Sequence, residues 1–264
     1  MQLPYPVRVL GQRVFGDARV RIRWGANRGL LWSVAALGRG YGSGRFARDR
    51  IEALACVVQE GDSFWDVGAH KGFISLAAAR LVGPSGLVVA IEPASANLRF
   101  LERHLQWNGI RNVRVVPAAA SDRNGVARFG GSGSSVAFRI GEGPEDISVR
   151  TIELMAVELD LGRPTVLKID VEGEEAAVLR GAKRLLGSDQ SLLISTHSAE
   201  LYQECRAILQ PFGFRIYDSW EIAKHRRDGT PWTSDHDMLA IGRDRPIEEA
   251  RIRALELIAG PPGK

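Results

Sequence analysis

The chain has 264 residues, 45% apolar and 25% charged, with a net charge of +4. This fits one sizeable globular domain with extensions, or two small domains. The two cysteines, Cys56 and Cys205, exclude a disulfide framework, and the longest apolar stretch near the N-terminus, residues 30–38, is too short to span a bilayer.

The charge is uneven. Residues 1–50 hold ten arginines, no lysine and two acids, Asp17 and Asp49, a surplus of eight positive charges that leaves four negative charges net on the rest. A basic segment on a mildly acidic body favours an anionic partner: an acidic or phosphorylated glycan, a nucleotide-linked substrate, nucleic acid or a membrane surface. It equally fits a solvated, arginine-rich surface. The first residues lack the pattern of a signal peptide, so a cytoplasmic location is expected.

In chain order, "ARVRIRW" (18–24) alternates arginine with apolar residues, as a half-exposed strand does. It predicts an appended piece, a hairpin over one end of a sheet. "ARDRIEALACVV" (47–58) has helical spacing. "SFWDV" (63–67) is a short strand leading into a glycine loop, and "FISLAAARLV" (73–82) is a buried helix stopped by Gly83, Pro84 and Gly86. "LVVAI" (87–91) reads as a strand buried on both faces. Ser95 begins a helix that ends at Asn108–Gly109, and "VRVVPAA" (113–119) is the next strand.

Residues 121–148 are rich in Gly and Ser. They predict a short strand at 126–129, then a loop at 130–135 that serves as a lid or a plain connection. "TVLKIDV" (165–171) is a strand with a helix after it running to Leu186. "SLLIST" (191–196), a helix at 199–210, "FRIY" (214–217), a polar loop with Trp220, His225 and Trp232, "DMLAI" (237–241) and a helix at 246–259 complete the chain. Alternation of this kind gives a parallel sheet with helices on both faces. In such sheets ligands bind at the carboxyl ends of the strands.

The loop after the first of these strands reads "FWDVGAHKG" (64–72). Glycine there lets a ligand approach the backbone, and the helix that follows offers free N–H groups. Glu92, at the end of the next strand, can hold two ribose hydroxyls. These parts fit NAD and S-adenosylmethionine alike. The spacing is G-x-x-x-G rather than the dinucleotide G-x-G-x-x-G, and no third glycine follows. Asp66 before the loop would repel a pyrophosphate but would neutralise the ammonium of a methionyl tail. The balance favours S-adenosylmethionine.

Residues 61–125, "GDSFWDVGAHKG" through "AAASDRNG", resemble the cofactor-binding half of the FkbM methyltransferases. "LKIDVEGEEAAVLRGAKRLL" (167–186) is similar to that family's most distinctive motif, K-I-D-V-E-G-x-E. "LLISTHSAELYQECRAILQPFGFRIY" is similar to the segment after it. The resemblance implies an α/β, Rossmann-like class I methyltransferase fold: a mostly parallel seven-stranded sheet with one antiparallel strand and helices on both faces. The implied layout is a basic extension or cap over 1–50, a methyltransferase domain over 51–243, and a C-terminal helix and tail over 244–264.

The resemblance also implies roles. Asp66, Gly68, Ala69, His70 and Gly72 would shape the pocket for the methionyl end, with Lys71 departing from the apolar residue usual there. Glu92 and Pro93 would meet the ribose, and Ser121 and Asp122 the adenine. Asp170 and Glu172, two apart on a strand end, face one way and would flank the sulfonium. The expected reaction is O-methylation of a sugar, a glycolipid or polysaccharide, or a secondary metabolite. Such a hydroxyl needs a base, for which Asp170, Glu172 and His197 are the candidates. Lys168 is placed to pair with a carboxylate. Two carboxylates and a histidine also suit Mg²⁺, but no compact ligand string is present and no metal is assigned. The alternatives are a nucleic-acid methyltransferase, which would lack both the Asn/Asp-Pro-Pro-aromatic motif and a clear RNA-binding appendage, and a non-catalytic S-adenosylmethionine-binding protein. A small-molecule or glycan acceptor is the expected partner.

Overall fold

The computed structural model describes residues 18–38, 40–44, 46–130, 139–141, 143–218 and 236–253. Trp220, His225, Trp232, the glycine-serine stretch beyond 130 and, of the helix expected at 246–259, the residues after 253 lie outside the described residues. β1 (Arg19–Arg21) and β2 (Leu31–Ser33) form the expected hairpin. One 3-10 turn and α1 (Arg48–Val57) follow. The boundary expected at residues 50/51 falls inside α1. β3 (Ser63–Val67), α2 (Phe73–Leu81), β4 (Leu87–Ile91), α3 (Ser95–Trp107) and β5 (Val113–Val116) then alternate.

After β5 the chain leaves the main sheet. Pro117 offers no N–H, and the N–H of Ala118 turns back to the carbonyl of Val116 at 2.9 Å. The strand expected over 113–119 is therefore cut in two. Its second part, β6 (Ala119–Ala120), joins β7 (Gly125–Gly130), β8 (Arg139–Ile140) and β9 (Glu145–Arg150) in a small four-stranded sheet, ordered β6-β9-β7-β8. Of this sheet the sequence pointed only to β7. β9 has just Ile147 and Val149 as inward apolar residues, too short an alternation to stand out beside Gly and Ser.

α4 (Ile152–Glu158), β10 (Val166–Ile169), α5 (Glu175–Arg180), β11 (Ser191–Thr196), α6 (Ala199–Leu209), β12 (Arg215–Asp218) and β13 (His236–Ile241) follow. The main sheet has the order β12-β13-β11-β10-β3-β4-β5. β13 runs antiparallel to both neighbours, and the other pairs are parallel. This is the expected α/β class. The helix expected to reach Leu186 stops at Arg180, and a 3-10 turn at Lys183–Leu185 follows; Gly181 between them packs so closely on the carbonyl of Ser121 that a Cβ there would collide with it.

The strands are apolar on both faces, so alternate residues feed two cores. Trp65, Val67, Leu167, Ile169, Leu192 and Ile194 pack on the face that carries α4, α5 and α6. Phe64, Val88, Val166, Leu193 and Leu239 pack on the face of α1, α2 and the hairpin, whose Trp32 is fully buried. Lys168 lies on that second face, directly opposite Asp66 in the parallel register of β10 and β3.

Candidate functional site

A cavity of about 360 Å³ opens at the carboxyl ends of β3, β4 and β10. Its floor is the loop after β3. Gly68 has φ +77°, and a Cβ on it would collide with the carbonyl of Asp170, so only glycine lets the two strand ends come this close. Gly72, at φ +88°, caps α2 and has no room for a side chain beside Leu101 and Leu76. It does not line the cavity. Between them Ala69 and His70 form wall. His70 itself is left-handed, at φ +51°. That backbone turns its N–H onto Oε2 of Glu92 at 2.8 Å. Burial, helped by Lys71 and Lys168, pushes the His70 imidazole down to about 3.

Glu92 is the buried carboxylate of the cavity. Besides His70 it accepts from the N–H of Ala94 at 2.9 Å and from Nδ2 of Asn97 at 3.0 Å, both on Oε1. Burial raises its pKa and the hydrogen bonds oppose the rise. Pro93 and Asn97 continue the wall, and Ala118, Ala119, Ala120, Phe129 and Ile140 close the apolar side. The small second sheet thus supplies a wall that the sequence reading lacked.

Asp66 does not reach the cavity. It is fully buried, with Oδ1 2.9 Å from Nζ of Lys168 and Oδ2 accepting from Ser75 at 2.6 Å. Lys168 also donates to the carbonyls of Gly68 and Val67, at 2.8 and 3.2 Å. The charge expected to meet a methionyl ammonium is instead matched by a lysine of the neighbouring strand, and the pair fixes the glycine loop from behind. Ser121 and Asp122 also stand outside the cavity lining. Ser121 donates to Glu174 at 2.9 Å, and Asp122 accepts from Arg180 at 3.0 Å. The alanines just before them face the cavity in their place. Lys71 lies with Nζ 5.5 Å from the centre of the Phe100 ring.

Asp170 and Glu172 line the cavity. Arg50 of α1 reaches across to Asp170, Nη1 to Oδ2 at 3.0 Å, and to Asp237 of β13, Nε to Oδ2 at 2.8 Å. Burial would raise the pKa of Asp170, but Lys168 and Arg50 outweigh it and hold the carboxyl below its usual range. Asp237 goes the other way: burial raises it, and Arg50 and Ser195 only partly oppose this. His197, in the loop after β11, is nearby but outside the cavity lining. Its Nδ1 is 2.6 Å from Oε1 of Glu175, and its Nε2 is 3.6 Å from Oε2 of Glu172. The sequence reading missed Arg50, Glu175, Tyr41 and Phe46. Glu175 sits inside the quoted K-I-D-V-E-G-x-E stretch; Arg50 is one arginine among ten, and no local pattern marks it. Among the described residues, no group of three or more His, Cys, Asp or Glu side chains is arranged to hold a metal ion, and no helix is long and apolar enough to cross a membrane.

No curated protein matches the sequence. Among solved structures, a protein described as an rRNA-methylase of Clostridium thermocellum superposes with a TM-score of 0.50 at 10% identity, over 75% of this chain and 95% of that one. The FkbM methyltransferase of Methylobacillus flagellatus KT gives 0.47 at 22% identity, over 68% of this chain and 43% of its own. An S-adenosylmethionine-dependent O-methyltransferase of Thermotoga maritima gives 0.47 at 18%, over 76% and 66%. At such identities the first likeness speaks for the fold alone. The sequence model of the methyltransferase FkbM domain matches residues 66–216. That is more than half of the chain, and the protein belongs to the FkbM family of methyltransferases, whose methyl donor is S-adenosylmethionine.

Proposed function

We propose that the protein methylates a hydroxyl group of a sugar, a glycolipid or polysaccharide, or a secondary metabolite, in the cytoplasm. The residues present fit the donor. A side-chain-free approach at Gly68 and a buried carboxylate at Glu92 lie in one cavity. Glu92 would hold the ribose hydroxyls, Ala69, His70 and Pro93 would line the loop beside them, and Ala118 to Ala120 with Phe129 would take the apolar base. S-adenosylmethionine supplies, when bound, a methyl group already activated by positive sulfur, so much of the protein's task is positioning.

The observation that supports the reading is the Glu175–His197–Glu172 cluster, whose Glu172 lines the cavity beside Asp170. Glu175 holds Nδ1 of the imidazole and Glu172 lies 3.6 Å from Nε2, so Nε2 is turned toward the carboxylate that lines the cavity. A hydroxyl acceptor needs its proton removed as the bond forms, and His197 with Asp170 and Glu172 supplies bases there. Tyr41, Phe46 and Arg50, from the chain before β3, also line the cavity. A labelled-methyl transfer screen over glycans, glycolipids and small hydroxylated metabolites tests the reading. Transfer to an oxygen supports it; transfer only to RNA overturns it.

A further inference from the structure

Residues 18–30, the first hairpin strand and its turn, hold four arginines and no acid. The strand pleat sorts them. Ile22 turns inward and is buried, while Arg19, Arg21 and Arg23 are exposed, and Arg28 is exposed in the turn. Among the described residues, none of these four guanidiniums has a carboxylate partner. Trp24, next to Arg23, is 65% exposed. α3 extends the face: Trp107 lies under Arg19, at 5.1 Å, and under Arg103, at 5.7 Å.

This face is rigid. Asn108 clasps β2 by accepting from the N–H of Leu31 at 2.7 Å and donating to its carbonyl at 2.9 Å. The N–H of Ser33 donates to Nε2 of His104 at 3.0 Å. The Nη1 of Arg21 holds the carbonyl of Gly29 at 2.8 Å, and Asn27 and Arg80 tie the turn to α2 through the carbonyls of Phe73, Ala26 and Arg28. The cations are therefore displayed on a fixed plate.

We propose that this plate attaches the protein to a membrane surface that carries anionic phospholipids. Arginines near such a surface gain from its negative potential, and tryptophan prefers the level of the headgroups. A single-stranded nucleic acid asks instead for a series of open aromatic faces, and Trp107 is already covered by two guanidiniums. The attachment does not depend on which hydroxyl the enzyme methylates.

The test uses the full chain and vesicles of phosphatidylcholine, with and without phosphatidylglycerol, in a sedimentation assay. The protein sediments with the anionic vesicles, stays in solution with the neutral ones, and is released by added salt. The triple variant Arg19→Glu, Arg21→Glu, Arg23→Glu loses anionic-vesicle binding by at least about tenfold, while its binding of S-adenosylmethionine, which reports a folded protein, stays intact. Trp24→Ala weakens binding several-fold and leaves the salt dependence unchanged. Equal partition onto both vesicles, wild-type partition by the folded triple variant, or binding of RNA with none of vesicles overturns the proposal.

Discussion

Glu175 grips His197 from the buried side of the site. Its carboxylate is fully buried, Oε1 lies 2.6 Å from Nδ1 of the imidazole, and Oε2 makes no hydrogen bond among the described residues. A carboxylate at Nδ1 fixes the ring orientation and stabilises the imidazolium that forms when Nε2 takes a proton. Glu175→Gln keeps the shape and removes the charge. Turnover is expected to fall about 10- to 100-fold, with affinity for S-adenosylmethionine unchanged. Steady-state kinetics beside calorimetry checks it; equal losses in both would mark Glu175 as merely structural.

Glu92 gathers three donors and faces the cavity. Glu92→Ala is expected to weaken S-adenosylmethionine binding by about 1–3 kcal/mol, the worth of charge-assisted hydrogen bonds. Titration calorimetry reads this directly. Unchanged affinity would remove Glu92 from the ribose.

Arg50 stands between two carboxylates, Asp170 and Asp237. Arg50→Met leaves them facing each other without the cation. A stability loss of about 1–3 kcal/mol is expected, at the lower end for a buried pair because all three side chains keep some exposure to water. Two carboxylates sharing a site also raise each other's pKa. The acidic limb of the activity profile therefore moves to higher pH. Urea unfolding and a pH–rate profile check the two parts separately.

His104 gives the stability a pH dependence. It is fully buried, stacked on Trp32 at 3.7 Å, with Nδ1 donating to the carbonyl of Lys71 at 2.9 Å and Nε2 accepting from Ser33. Burial lowers its pKa from 6.5 to about 4, Lys71 and Arg103 add to this, and the Lys71 carbonyl opposes it. Between those values the unfolded chain binds the proton and the folded one does not. Stability is therefore full above pH 6.5 and declines as the pH falls toward 4, by at most about 1.4 kcal/mol per pH unit from this group. His104→Leu is expected to be less stable at pH 7 and to show a shallower acid decline. Chemical denaturation at several pH values measures both.

Much of the main sheet was legible in the sequence because its strands are short, mostly apolar runs between clear stops. "SFWDV", "LVVAI" and "SLLIST" became β3, β4 and β11 with their bounds unchanged. The glycine loop and Glu92 were legible for the same local reason: a strand end, a glycine and a carboxylate lie within one short stretch. Ser121 and Asp122 lie just past the cavity lining, after Ala118–Ala120, because Pro117 sends the chain into a second sheet whose strands are too short to announce themselves.

Composition and local pattern thus determined the α/β class, the glycine loop and the acids at the strand ends. Only the tertiary structure decided what each charge faces. Asp66 meets Lys168 because parallel register sets them side by side. Arg50 meets Asp170 and Asp237 across 120 and 187 residues of chain. A charge pair over such separations leaves no periodicity behind it, since its partners are chosen by packing in space rather than by spacing along the chain.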